Sequence, residues 1–111
     1  MPRGDFIGEF EQLVLLAVAR LDGRGYGVSV GEEIRARTGR ESSVGAVYAT
    51  LDRLEAKGLV ESWEGEPTAA RGGRAKRHFR LLPAGARALL EARRMTDRMW
   101  EGVELAPGGD G

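Results

Sequence analysis

A chain of 111 residues has room for one domain and no second core. It carries no cysteine, which excludes disulfides and thiolate metal sites and fits a reducing compartment. Seventeen Lys/Arg balance seventeen Asp/Glu, so the net charge of zero argues against a uniformly basic nucleic-acid binder. The charge is nevertheless polarised. Residues 1–66 hold eight basic and twelve acidic side chains, eight minus twelve or −4; residues 67–111 hold nine and five, nine minus five or +4. Met1–Glu9 carries two acids and no apolar core of a signal peptide, and the run Leu13–Ala19 is too short to span a bilayer, so a cytoplasmic protein is expected.

Met1–Gly8 reads as a lead-in, with Phe6 and Ile7 as contacts for a partner. The first helix is predicted over Glu9–Leu21, where Phe10, Leu13, Val14, Leu16, Ala17, Val18 and Leu21 make more than one apolar stripe and imply burial on most sides. Asp22-Gly23-Arg24-Gly25 is a turn. A second helix follows over about Ser29–Thr38, with Val30 and Ile34 inward and Gly39 as its stop. The third spans Ser42–Val60 with its flanks: Ser42 and Ser43 cap it, Val44, Val47, Leu51 and Leu54 line one side, and Lys57-Gly58 end it. Two helices joined by so short a connection fit a helix-turn-helix.

The opposite side of this third helix carries Gly45, Ala46, Ala49, Thr50 and Arg53, with no acid before Asp52. A helix meant for solvent usually carries Glu and Lys there, whereas one meant to lie against a large surface needs short side chains. Recognition helices in a major groove present such a face. Tyr48, at the edge of the stripe, can bury its ring and offer its hydroxyl to a phosphate; core packing alone explains it nearly as well. Ser43 has the same double reading, as cap or as phosphate contact at a helix N-terminus.

Leu59–Glu64 and Lys76–Leu82 are predicted strands around the loop Gly65–Ala75. Phe79 and Leu81 fall on one face of the second strand, His78 and Arg80 on the other, while Trp63 fits either face of the first. Arg71–Arg80 holds five basic residues and no acid. Such a run is often only a solvated hairpin, but Arg71, Arg74, Lys76 and Arg77 bracket Gly72-Gly73 as the wing beside a recognition helix would. Pro83 starts a last helix running to about Val103. Its stripe of Leu89, Ala92, Met95, Met99 and Val103, with Trp100 beside it, has no cover within a monomer; a symmetric dimer would bury it against its mate and against Phe6 and Phe10.

The linked motifs SxGAVYxTLDRLExKGLV, a Gly- and Arg-rich turn, and RHFRLLPAGARAL resemble the PadR family of bacterial transcriptional regulators, over about Phe10 to Leu90. The resemblance implies an α+β, mostly helical fold: a winged helix-turn-helix with a two-stranded wing over residues 1–82 and a C-terminal dimerisation helix over residues 83–104. The Gly/Pro-rich tail, 105–111, is expected to be disordered. The resemblance also implies a homodimer on double-stranded operator DNA, usually acting as a repressor. In some relatives the dimer encloses a small apolar effector, for which Trp100 is placed as a lining residue.

No cofactor, metal site or enzyme activity is expected. His78 is the only histidine, and no nucleophile motif, Walker loop or dinucleotide fingerprint is present. The competing reading is a winged-helix protein-interaction module without DNA binding; the neutral net charge favours it, and the acid-free wing opposes it.

Overall fold

The computed structural model describes residues 6–65 and 76–108. In chain order the elements are α1 (Glu9–Leu21), β1 (Gly25–Tyr26), α2 (Gly27–Thr38), α3 (Val44–Ala56), β2 (Val60–Glu64), β3 (Arg77–Leu81) and α4 (Pro83–Trp100).

Each helix boundary has a local cause. At α1 the Gly8 N–H donates to Glu11 Oε1 (2.8 Å), and the chain leaves through Asp22 and Gly23, both at positive φ. Ser29 closes the start of α2 from within the helix. Its hydroxyl accepts from the Tyr26 N–H (2.9 Å) and donates to the Tyr26 carbonyl (3.0 Å). The helix therefore begins two residues before the serine that was expected to open it. At the N-cap of α3, Ser43 Oγ accepts from the Ala46 N–H (3.0 Å). Gly58, at φ 77°, ends that helix and turns the chain so that the Leu59 N–H reaches the Leu54 carbonyl (2.9 Å).

The core forms where α1, α2 and α3 meet the sheet. Val14, Leu15 and Val18 of α1, Val30 and Ile34 of α2, and Val47, Leu51 and Leu54 of α3 close over Val60 and Phe79. Full burial of such side chains contributes about 1.5–3 kcal/mol each. An ion pair ties the first two helices together at their surface, Arg20 of α1 donating to Glu33 of α2 (2.9 Å), and Arg37, one turn along α2, donates to the same carboxylate (3.2 Å).

The sheet has the order β1-β3-β2 and is antiparallel throughout. The two-stranded wing is the β2–β3 hairpin, registered Val60↔Leu81 to Glu64↔Arg77. The third strand, β1, begins at Gly25, the last residue of the turn expected there, and has no strand signal of its own in the sequence. Two residues carry no alternation, so only pairing with Phe79 and His78 reveals it.

α4 departs from the body of the domain. Gly85 is buried so tightly beside β2 that a Cβ there would lie 2.3 Å from the Leu59 carbonyl oxygen. The Leu82 N–H donates to that same oxygen (2.9 Å), which pins the start of the helix. Ala84, Ala88 and Leu89 pack on the core. From Arg93 to Trp100 every residue is exposed. The helix stops at Trp100, and Gly102, at φ 77°, turns the chain, so Val103 lies just beyond the helix rather than on it.

Two apolar side chains expected inside are outside. Val44 is 51% exposed, because the first residue of α3 sits at the rim of the domain. Leu16 of α1 is also exposed, leaving one side of that helix open.

Candidate nucleic-acid interface

α3 rests on the core through Val47, Thr50, Leu51 and Leu54. Its other side is bare: Ser43, Gly45, Ala46, Ala49, Asp52, Arg53 and Ala56 are all exposed. A Cβ added at Gly45 would meet nothing within 4 Å. The first two turns thus offer a smooth, small-residue surface next to a helix N-terminus whose free N–H groups favour an anion.

Thr50 is not part of that surface. It is 2% exposed, and its Oγ1 accepts from Arg53 Nη2 (3.1 Å). The reason is helical spacing: Thr50 lies three residues after Val47 and four before Leu54, both core residues. Arg53 keeps most of its side chain in solvent, and its Nε lies 3.8 Å from Glu11 Oε2 of α1. Lys57 Nζ donates to the same carboxylate (3.1 Å). Partial burial pulls the Glu11 carboxyl upward, but the Gly8 amide, Lys57 and Arg53 outweigh it and hold the pKa below the ordinary value.

Tyr48 is half-buried, and its ring lies over Gly27 at the start of α2. A Cβ on Gly27 would come within 2.2 Å of Tyr48 Cζ and 2.7 Å of its hydroxyl oxygen. Only glycine fits there, so the small residue that opens α2 sets the place of the tyrosine on α3. The sequence alone gave this pair no signal, because the two residues are 21 positions apart. Beside them, Val28, Glu32, Arg35, Glu41, Ser42 and Val44 rim a hollow of about 180 Å³ between α2 and α3.

The wing differs from expectation at Arg77. Its guanidinium points at α3, donating to Asp52 Oδ1 (2.9 Å), to Glu55 Oε1 and to Ser62 Oγ (3.2 Å). It is therefore engaged inside the chain and not held out as a free wing cation. The signal was present in the sequence: Arg77 shares the inward face with Phe79 and Leu81 by the strand period of two. Lys76 lies with its Nζ 4.1 Å from the centre of the Tyr26 ring. Arg71 and Arg74 lie outside the described residues.

On the outer face of the sheet His78 stands between Trp63, stacked at 5.9 Å, and Tyr26, edge-on at 6.0 Å. The registers Trp63↔His78 and Tyr26↔His78 make this row a consequence of pairing, and they place Trp63 outward. His78 is thus a cross-strand packing residue.

The expected dimerisation residues divide into two groups. Phe10 and Leu89 already pack against this chain's own core, Phe10 with the Arg40 guanidinium 5.0 Å over its ring. Ala92 is half-covered, whereas Phe6, Met95, Met99, Trp100 and Val103 are exposed. Met99, at 78%, is the most open of these.

The family model of the PadR-like transcriptional regulators matches residues 15–91. The chain belongs to that family. Among curated proteins it is similar to the transcriptional regulator Rv3488 of Mycobacterium tuberculosis, 38% identical over 78 residues, which cover 70% of this chain and 68% of that one. Among solved structures it is similar in fold to a PadR-like transcription factor from Bacteroides fragilis (TM-score 0.71, 18% identity, 83% of this chain and 84% of that one). A PadR family regulator from hypervirulent Clostridium difficile is likewise similar in fold (TM-score 0.66, 21% identity, 85% and 96%). Four helices with a small three-stranded sheet are the winged-helix fold of this family. Its members are DNA-binding transcriptional regulators, not enzymes. Among the described residues no helix of this PadR-like chain is long and apolar enough to cross a membrane.

Proposed function

We propose that this PadR-like regulator is a homodimeric repressor that lays the bare side of α3 into the major groove of an operator. The observation that carries the reading is that side itself. Gly45, Ala46 and Ala49 are exposed, short and uncharged at the N-terminal half of a capped helix, and none of the described elements covers them. In this reading Ser43 and Tyr48 meet the backbone, Arg53 reaches a phosphate or a guanine edge, and Lys76, with Arg71 and Arg74, follows the neighbouring phosphates. Thr50 supports the helix from beneath, and Arg77 acts from inside the wing.

The dimer is supported by α4. Met95, Met99 and Trp100 continue the stripe that Gly85, Ala88 and Leu89 use against the body, past the point where the body ends. A second copy would cover them and would set two α3 helices on half-sites about one helical turn, roughly 34 Å, apart. Repression needs nothing beyond occupation of the operator, and DNA binding and pairing are the two tasks these surfaces serve.

The test is a footprint on the DNA upstream of the protein's own gene, with scrambled DNA and heparin as controls. Protection of two half-sites, absent on scrambled DNA, is the expected result. No binding to any of the three polyanions would refute the proposal and favour a protein-interaction module.

A further inference from the structure

Among the described residues of the wing, Arg77 is the most heavily engaged side chain. It gives Nη1–H to Asp52, Nη2–H to Glu55 and Nε–H to Ser62 Oγ, and Ser62 in turn donates to the second Glu55 oxygen (2.8 Å). The guanidinium also stands 4.9 Å over the Phe79 ring. Asp52 and Glu55 are three residues apart on α3, Ser62 is on β2 and Arg77 on β3, so one planar fork joins the third helix to both strands of the hairpin. The charges are two carboxylates against one guanidinium. Asp52 is exposed on the same side of α3 as Gly45 and Ala49, where an uncompensated carboxylate would face whatever docks there. The Ser62 hydroxyl outweighs partial burial and, with Arg77, holds the Glu55 pKa below its ordinary value, so that carboxylate is charged at neutral pH.

We infer that Arg77 is a positioning residue for DNA: it fixes the wing against α3 and screens Asp52 and Glu55 from the phosphates, and does not itself contact the backbone. The inference rests on the DNA-binding reading proposed above. It assigns Asp52 and Glu55 a part that opposes binding when Arg77 is gone. A phosphate within about 8 Å of a bare carboxylate is inside the Debye length at physiological salt, so the repulsion is only partly screened.

A charge-removal series tests this on the full chain. Arg77→Gln, the double variant Asp52→Asn/Glu55→Gln and the triple variant combining all three are titrated with upstream and scrambled DNA at several salt concentrations. Binding of upstream DNA by the unsubstituted protein tests the proposed function separately; if that protein does not bind, the reading and this inference fall together. Arg77→Gln is expected to lose about tenfold or more in affinity. The triple variant has no bare acid, and its amides can hydrogen-bond to one another. It is expected to recover to within about threefold of the unsubstituted protein with the same salt slope. A triple variant as weak as Arg77→Gln, its slope lower by about 0.9 for each lost contact, would overturn the inference and make Arg77 a phosphate contact. Should Arg77→Gln fail to fold by circular dichroism, the triple variant is compared with Asp52→Asn/Glu55→Gln: affinities within about threefold and equal salt slopes support the screen, and a triple variant about tenfold weaker with a slope lower by about 0.9 per contact overturns it.

Discussion

Replacing Met99 with Glu addresses the pairing of chains through α4. Burying a methionine side chain is worth about 1.5–3 kcal/mol. Met99 leaves 78% of its surface exposed, so about 1.2–2.3 kcal/mol of that is available to a partner. Two-fold symmetry uses the residue twice, which makes the loss about 2.4–4.7 kcal/mol per dimer before any repulsion between carboxylates. At about 1.4 kcal/mol per decade, the dimer dissociation constant should rise by roughly 50-fold to 2,000-fold. Sedimentation velocity across nanomolar to micromolar concentrations reads this directly. Thermal stability measured where both proteins are monomeric should not change, because the side chain touches little of its own domain. The reasoning fails if the unsubstituted protein is monomeric at micromolar concentration, or if Met99→Glu dimerises equally well.

Other parts of the account make their own predictions. Gly27→Ala should destabilise the fold by about 1–3 kcal/mol by displacing the Tyr48 ring, and Tyr48→Ala in the same chain should remove most of that cost; denaturant midpoints check the coupling. Glu11 has a depressed pKa, so its contribution is complete above about pH 5 and is lost as the pH falls through the folded pKa below that. Melting temperatures between pH 7 and 3 should therefore fall more steeply for the unsubstituted protein than for Glu11→Gln; equal profiles would mean the carboxylate is not held by Gly8 and Lys57. Arg53→Ala should weaken operator binding by about 1–3 kcal/mol if the side chain reads a base, while the melting temperature barely moves because Arg53 is mostly in solvent and its contact with Glu11 is long.

Much of this fold is written locally. Ser43 caps α3, Gly39 and Gly58 stop helices, and Pro83 opens α4, since each acts through its own backbone conformation or side chain. The α3 stripe of Val47, Leu51 and Leu54 and the inward Phe79 follow from periods of 3.6 and 2. What was hidden depends on residues distant in sequence. β1 exists only through its pairing with β3, and Gly27 has its role only because Tyr48 arrives above it. Thr50 and Arg77 are different cases. The periodicity that placed their neighbours also turned them inward, but their polarity had suggested an outward role. Their polar groups are satisfied there, Arg77 by two acids of α3 and the Thr50 hydroxyl by accepting from Arg53. In α4 one continuous stripe serves two purposes. Leu89 packs on its own domain and Met99 lies mostly in solvent, a division set by where the body ends and invisible to the pattern.

The most direct test of α3 as the reading element is Gly45→Glu. The side chain has open space, replaces a poor helix former, and brings a carboxylate to the first turn, where the helix dipole favours it by about 0.3–1 kcal/mol. The fold should therefore be as stable or more stable, while a negative charge on the docking surface should cut affinity for upstream DNA by about 100-fold or more at 0.1 M salt. Titration of labelled DNA beside a thermal melt gives both numbers. Higher stability with lost binding is the predicted result; a stable Gly45→Glu protein that binds DNA as tightly as the unsubstituted one would contradict the account.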